Sequence, residues 1–306
     1  MKAVVRYSYG ESLELVDLPD PVPVKDEVLV RVRAAGVDRG AWHVMTGRPH
    51  LARLAFGVRR PRDPQLGMDA SGIVEAVGPD VTRFAPGDEV FGVVHGAFAE
   101  LALAHEKHLL PKPSRLAFEQ AAAAPTSGVT ALDALRDRPG RVLVLGAGGG
   151  VGHLAVQVGV AAGNHVTAAT SAPAFVESLG AHAVIDHRTS PLSGEYDVIL
   201  DIGGRRPVRE LRALLAPRGT VVFVGGEGGG ALLGGMQRQL VVAPFSGQRF
   251  VTFLALNSPA NLRELLGLLE AGTIVPYVER SYALAEAGDA LRHLTEGVTG
   301  KLVLTA

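Results

Sequence analysis

The stretch "GAGGGVG", Gly146 to Gly152, holds the clearest chemistry in the chain. Glycines at 146, 149 and 152 follow the apolar run "VLVL" and lead into a helix expected from Val151. A glycine-rich strand-to-helix turn lets backbone N–H groups approach a pyrophosphate, and the helix N-terminus adds favourable electrostatics. Gly146, Gly149, Gly150, Val151 and Gly152 are therefore expected to cradle a dinucleotide, with Gly149, Gly150 and Val151 as backbone donors. The three-and-three interval departs from the two-and-three spacing of the common fingerprint, and no Gly-Lys-Ser/Thr follows to support a Walker A loop. The competing reading is that the glycines only allow tight helix-to-sheet packing.

About twenty residues further on, an acid at the end of the second strand would hold a ribose 2′-hydroxyl. The chain has "AATSAP" there, with Ala169, Thr170 and Ser171 and no acid. NADPH is therefore expected, with NADH as the alternative. A 2′-phosphate would rest on Thr170 and Ser171, joined by His187 or Arg188 from "IDHR". A solvated loop is the plainer role for His187 and Arg188.

These residues need a scaffold. From about Arg141 apolar strands alternate with amphipathic helices: "RVLVLG", the helix from Val151, "HVTAAT", "AFVESLG", "AVIDH", "YDVILDIG", "PVRELRALLA" and "GTVVFVGG". That rhythm means a parallel sheet covered on both faces. Before it come short strands, "KAVVRY", "LELVDL", "EVLVRVRAAGV", "ASGIVEAVG", "DEVFGVV" and "AFAELALA", separated by turn chemistry, as in a folded-over barrel. After it a tail ending in "KLVLTA" can return to the first domain. The run "GGEGGGALLGG", Gly225 to Gly235, reads as a mobile loop.

With 306 residues, 47 % of them hydrophobic, the chain can form two domains with substantial cores. A net charge of -1 argues against a polyanion-binding surface, so no nucleic-acid partner is expected. The absence of cysteine excludes disulfides, thiolate nucleophiles and sulfur-ligated zinc. Charges at Lys2, Arg6 and Glu11 interrupt any signal-peptide core, and a cytoplasmic location is the default. Between Val142 and Val176 only His153 and His165 are ionisable, but the glycine cluster fits a buried strand, helix and strand better than a membrane span.

Taken in order, "AGVDRGAWHVMTG", "LGMDASGIVEAVGPDVTRFAPGDEVFG", "GAFAELALAHEKHLLPKP", "AAAAPTSGVTALDAL", "GAGGGVGHLAVQVG", "SLGAHAVIDH", "YDVILDIGG", "GTVVFVGG" and "GKLVL" span nearly the whole chain. The sequence resembles the medium-chain dehydrogenase/reductase superfamily, in its zinc-free quinone oxidoreductase and enone reductase branch. The resemblance implies a GroES-like β-rich catalytic domain over residues 1–115 and 252–306, and a Rossmann domain with a doubly wound parallel sheet over 116–251. It also implies a homodimer formed by edge-strand pairing near "TVVFVGG".

Zinc alcohol dehydrogenases of the superfamily ligate their metal at the places of Asp38, Met68 and Thr126. Methionine and threonine are poor zinc ligands, so no metal is expected. The branch passes a hydride from reduced nicotinamide to a quinone or an α,β-unsaturated ketone. His43 stands where a tyrosine is common and would hydrogen-bond the substrate carbonyl, with Trp42 as an apolar wall. Asn is usual in place of Asp38 and Asp in place of Ala41. The same resemblance implies cofactor contacts from Thr130, Ile202, Gly203, Val224, Gly225, Leu254 and Ala255.

Competing expectations are a dedicated enoyl reductase tailoring an aromatic natural product of polyketide type, and a non-catalytic nucleotide-binding protein. The arginines at 48, 53, 59, 60 and 62 could attract an anionic substrate, although a solvated loop is the better reading.

Overall fold

The computed structural model describes residues 1–10, 12–225, 247–252 and 257–306. Two compact units divide the chain, one of Met1–Arg48, Ala52–Val129 and Asn257–Ala306, the other of Pro49–Leu51 and Thr130–Leu256.

In the first unit the alternating apolar stretches form strands, as their patterning requires. A small antiparallel pair, β1 (Lys2–Val5) and β2 (Glu14–Asp17), stands beside a seven-stranded sheet. The centre of that sheet is β3 (Glu27–Val37), which pairs with β4 (Asp69–Val77) along most of its length. Its first half also pairs with β6 (Leu101–His105), and its second half with β15 (Lys301–Thr305). The β3–β4 register shifts between Val32 and Ala34, where this change of partner occurs, and such an irregularity bends a strand. Two more strands, β5 (Glu89–Val93) and β7 (Leu109–Pro111), extend the far side, and β14 (Val278–Ala283) lies outside β15. Val28, Val30, Val74, Val90, Phe98 and Leu302 fill the interior. The C-terminal strand thus returns to the first domain.

The expected boundary at residue 116 moves to Val129. Helix α3 (Phe118–Ala122) packs on β3 and β4, where the Ser71 hydroxyl donates to the Phe118 carbonyl at 2.5 Å. A side chain at Gly36 would sit 2.5 Å from the Ala122 carbonyl oxygen. Close packing of small residues, rather than hydrophobic periodicity, assigns this segment to the β-rich unit. The later boundary moves from 252 to Asn257.

The second unit is a six-stranded sheet of β10 (Ala183–Asp186), β9 (His165–Thr170), β8 (Arg141–Leu145), β11 (Tyr196–Asp201), β12 (Leu215–Phe223) and β13 (Arg249–Thr252), in that spatial order. Every pairing is parallel. In chain order this is 3-2-1-4-5-6, the doubly wound arrangement, and its direction reverses between β8 and β11. Val142, Leu143, Val144, Ile199 and Leu200 are buried, as expected for a sheet covered on two faces.

The segment "TVVF" lies within β12 and pairs on both sides, with β11 and with β13. The expectation of an edge strand there is corrected: among the described residues the edge on that side is β13. The helix expected from Val151 is α5 (Gly152–Ala161), too short to span a bilayer. Among the described residues no helix is long and apolar enough to cross a membrane. Of the loop expected at Gly225 to Gly235, residues 226–235 lie outside the described residues.

Helix Pro259–Glu270 supplies a stability test. Gly267 sits exposed in its interior, and a methyl group added there would meet nothing within 4 Å. Gly267→Ala is expected to stabilise the protein by about 0.5–1 kcal/mol through the unfolded chain's lost freedom, read as a raised urea midpoint with an unchanged slope.

Candidate functional site

The carboxyl ends of β8 and β11 flank the point where strand order reverses, the place where open parallel sheets bind ligands. Gly146 follows β8 with φ +84°, a backbone state that suits glycine, and its N–H donates to the Ala169 carbonyl at 3.1 Å. Gly152 opens α5 so close to this turn that a Cβ there would lie 2.1 Å from the Gly146 carbonyl oxygen. Ile202 N–H donates to Leu145 O at 3.2 Å, tying the two strand ends together. A Cβ at Gly225 would meet the Ile202 carbonyl oxygen at 1.9 Å, so the end of β12 closes against the same rim. Gly146, Gly152, Ile202, Gly203, Val224 and Gly225 thus converge at one edge, with Gly149, Gly150 and Val151 in the turn between. A dinucleotide fits this edge because its backbone is bare of side chains where close approach is needed.

The site differs from expectation in its details. The Gly149 N–H donates to Gly146 O at 3.1 Å, inside the turn, so it is not a donor directed at a ligand. The Thr170 hydroxyl accepts from Ala172 N–H at 3.0 Å, while Ser171 is exposed. His187 and Arg188 follow β10, and Arg188 is held by Asp186 through contacts of 3.0 and 2.7 Å. The Arg188 guanidinium and its backbone N–H hold the Asp186 carboxyl down at about 2. Arg188 therefore already has an acidic partner. Thr130 lies buried on helix α4 (Pro125–Leu135). Leu254 and Ala255 lie outside the described residues.

In the β-rich unit, helix α1 (Arg39–Thr46) carries Trp42 and His43. The Asp38 carboxylate is the N-cap of α1, accepting from Ala41 N–H at 2.8 Å, and Gly47 ends the helix with φ +62°. His43 Nδ1 lies 2.8 Å from the Arg48 carbonyl oxygen, which can only accept, so Nδ1 carries the proton. In the neutral ring Nε2 is then an acceptor, and it can donate to a substrate carbonyl only as imidazolium. The Trp42 ring stands edge-on to His43 at 5.1 Å.

A cavity of about 420 Å³ opens in the same unit, with Gly40, Ala41 and Val44 of α1 and Phe56, Leu66, Met68 and Val94 in its wall. Asp38, Trp42 and His43 do not line it. Arg6, Arg62, Asp63, Gln65, His95, His105 and His108 are its polar and charged members. Of the arginines singled out in the sequence, Arg53 is structural: it donates to Gly47 O at 2.9 Å and stacks over Tyr9. Arg48, Arg59 and Arg60 are exposed, in keeping with a solvated loop.

Beneath α1 lies a buried polar cluster that sequence reasoning missed. Asp69 is fully buried and accepts from Thr126 N–H at 2.9 Å and from the Thr126 hydroxyl at 2.6 Å. Lys301, also buried, donates to the Ser127 hydroxyl at 3.2 Å. Burial first, then the nearby Asp38 charge, pushes the Asp69 carboxyl up to about 7, against the pull of Lys301 and the Thr126 hydrogen bonds. The sequence signal was available only as an acid set between apolar and small residues in "LGMDASG".

Known proteins share this plan. A family described as alcohol dehydrogenase GroES-like domain matches residues 24–114, and one described as zinc-binding dehydrogenase matches residues 179–304. A chloroplast envelope quinone oxidoreductase homolog of Arabidopsis thaliana is 31% identical, over 99% of this chain and 98% of its own. The solved structure of a quinone oxidoreductase from Coxiella burnetii is 27% identical with a TM-score of 0.85, covering 100% of this chain and 99% of that one. A spectinabilin polyketide synthase system protein, NorB of Streptomyces orinoci, is 34% identical over 78% of this chain and 12% of its own length. The chain belongs to the medium-chain dehydrogenase/reductase superfamily, in its quinone oxidoreductase branch, and is by that membership an oxidoreductase of the NAD(P)H-dependent class.

Proposed function

We propose that this protein is a zinc-independent, NADPH-dependent reductase of quinones or α,β-unsaturated ketones. The observation that carries the zinc-free part is the chemistry of the three residues at the zinc-ligand positions, two of which already have partners. Asp38 caps α1, Thr126 donates its hydroxyl to Asp69, and Met68 offers only a thioether, in a chain without cysteine. The description of one matching family as zinc-binding does not extend to these side chains.

The glycine turn from Gly146 to Gly152 would hold the pyrophosphate, Thr130 the nicotinamide-side phosphate, and Ile202, Gly203, Val224, Gly225, Leu254 and Ala255 the nicotinamide end. When bound, the reduced cofactor supplies the hydride. The strand β9 ends without an acid to select a free ribose hydroxyl, which supports NADPH. Exposed Ser171 is the hydroxyl that would meet the 2′-phosphate, and Arg188 would do so only by sharing its charge with Asp186. His43, protonated on Nδ1 and directed there by Arg48, would donate from Nε2 to the acceptor's carbonyl oxygen as imidazolium. Trp42 would shield the reacting face from water. The protein would act as a homodimer, away from membranes and nucleic acid, in the cytoplasm.

A second reading, a dedicated enoyl reductase acting on a polyketide-type aromatic product, is favoured by the likeness to NorB. The two separate by acceptor range. Oxidation of NADPH in the presence of a simple ortho-quinone or a simple conjugated enone, several-fold faster than with NADH, is expected for the general reductase. Bound NADPH that neither acceptor oxidises would overturn it in favour of the dedicated or the non-catalytic protein.

A further inference from the structure

Arg6 follows directly after β1, its backbone N–H fixed to the Pro64 carbonyl at 2.9 Å. Its side chain is 2 % exposed yet lines the 420 Å³ cavity. Of its five potential N–H donors, Nη1 reaches the Gln65 carbonyl at 3.3 Å, and the buried Nε has no hydrogen-bond partner among the described residues. Burial lowers the Arg6 pKa, with Tyr9 and Asp63 opposing the shift. Asp63 is shared, since its carboxylate pairs with His95 at 3.2 Å. A guanidinium removed from water without a full set of acceptors is costly to the folded state unless an anion completes it.

The remaining walls fix the rest of the ligand. Val44, Phe56, Leu66 and Met68 are apolar, Arg62 adds a second guanidinium, and His95, His105 and His108 add imidazoles beside the one carboxylate of Asp63. Apolar walls around one buried fork of N–H donors, in a volume within the usual range for small-molecule sites, suit a compact aromatic acid. We propose that this cavity binds an aromatic carboxylate, with the carboxylate paired to the Arg6 guanidinium. The binding does not rest on the functional reading above, since Asp38, Trp42 and His43 do not line the cavity.

The test is calorimetric titration of the full chain, without cofactor, using naphthoate and its neutral counterpart naphthylmethanol. Naphthoate is expected to bind about tenfold more tightly than the alcohol. Arg6→Met should remove that preference while leaving the alcohol's affinity unchanged, and Arg6→Lys should restore part of it. Arg62→Met should reduce the preference only severalfold. Should Arg6→Met fail to fold, the wild-type comparison of acid with alcohol still decides. Equal affinities, no binding of naphthoate, or an Arg6→Met variant that keeps the preference would overturn the proposal. No turnover enters the measurement, so its failure and the failure of the reductase reading are separate results.

Discussion

Gly152→Ala is expected to weaken NADPH binding by at least about tenfold and to lower the melting temperature by several degrees. The new Cβ would lie 2.1 Å from the Gly146 carbonyl oxygen and 2.7 Å from the Ala147 Cα. Both are backbone atoms, so no side chain can swing aside, and the turn must open by on the order of an ångström. Overpacking of this kind costs about 1–3 kcal/mol, and the displaced turn would also misdirect the N–H groups meant for the pyrophosphate. Gly149 provides the contrast, because a Cβ there would meet only Gly146 O at 3.5 Å, ordinary contact. If the turn cradles a cofactor, Gly149→Ala should weaken NADPH binding while leaving the melting temperature nearly unchanged. Fluorescence titration alongside thermal melts checks both variants. An unaltered NADPH affinity in both would mean that the glycines serve helix packing alone.

The second large effect is a pH dependence of stability set by Asp69. Its carboxyl rises from an ordinary 3.8 to about 7 in the folded protein, so the native state holds this proton more firmly than the unfolded chain. Stability from this source is complete below roughly pH 4 and is lost as the pH climbs through about 7, at a slope of at most about 1.4 kcal/mol per unit. The charges acting on the group are Asp38, which raises it, and Lys301, which lowers it. In Asp69→Asn that slope should vanish. The asparagine can accept from the Thr126 N–H through Oδ1 and donate from Nδ2 to the Thr126 hydroxyl oxygen, as the protonated acid can, so the variant should match the wild type to within about 1 kcal/mol in acid. As the pH rises towards roughly 8 the wild type should lose stability and the variant should become the more stable protein. Urea midpoints across that range decide it, and parallel profiles for the two proteins would contradict the assignment.

The doubly wound sheet was legible because its signals are local. Apolar runs such as "VLVLG" and "VILD" alternate with amphipathic stretches, and the chain has little other way to bury them. The place of "TVVF" in the sheet was not legible. An apolar strand looks the same at an edge as inside, and only pairing with β13 makes it interior. The segment from 116 to 129 groups with the β-rich unit for a reason that is not local: "AAAAPTSG" has no periodicity, and its attachment depends on the close approach of Gly36 and Ala122.

The candidate sites divide in the same way. A glycine needed for positive φ or close approach, such as Gly146 or Gly152, declares itself in its own short stretch. The inward turn of the Gly149 N–H and the capture of Arg188 by Asp186 depend on backbone path, which spacing does not encode. Nothing in "AVVRY" itself marks Arg6 as buried. Its burial comes from Pro64 and Gln65, far along the chain. The same distance hid the relation of Asp69 to Lys301.

The central claim is hydride transfer from NADPH to a conjugated acceptor without a metal. Its most direct measurement uses NADPH deuterated at the transferring position of the nicotinamide, a conjugated enone, and protein dialysed against a strong chelator. Mass spectrometry of the product is expected to show one deuterium per turnover, at the rate of the undialysed protein. A product without the label, or a rate that collapses on chelation and returns with zinc, would contradict it.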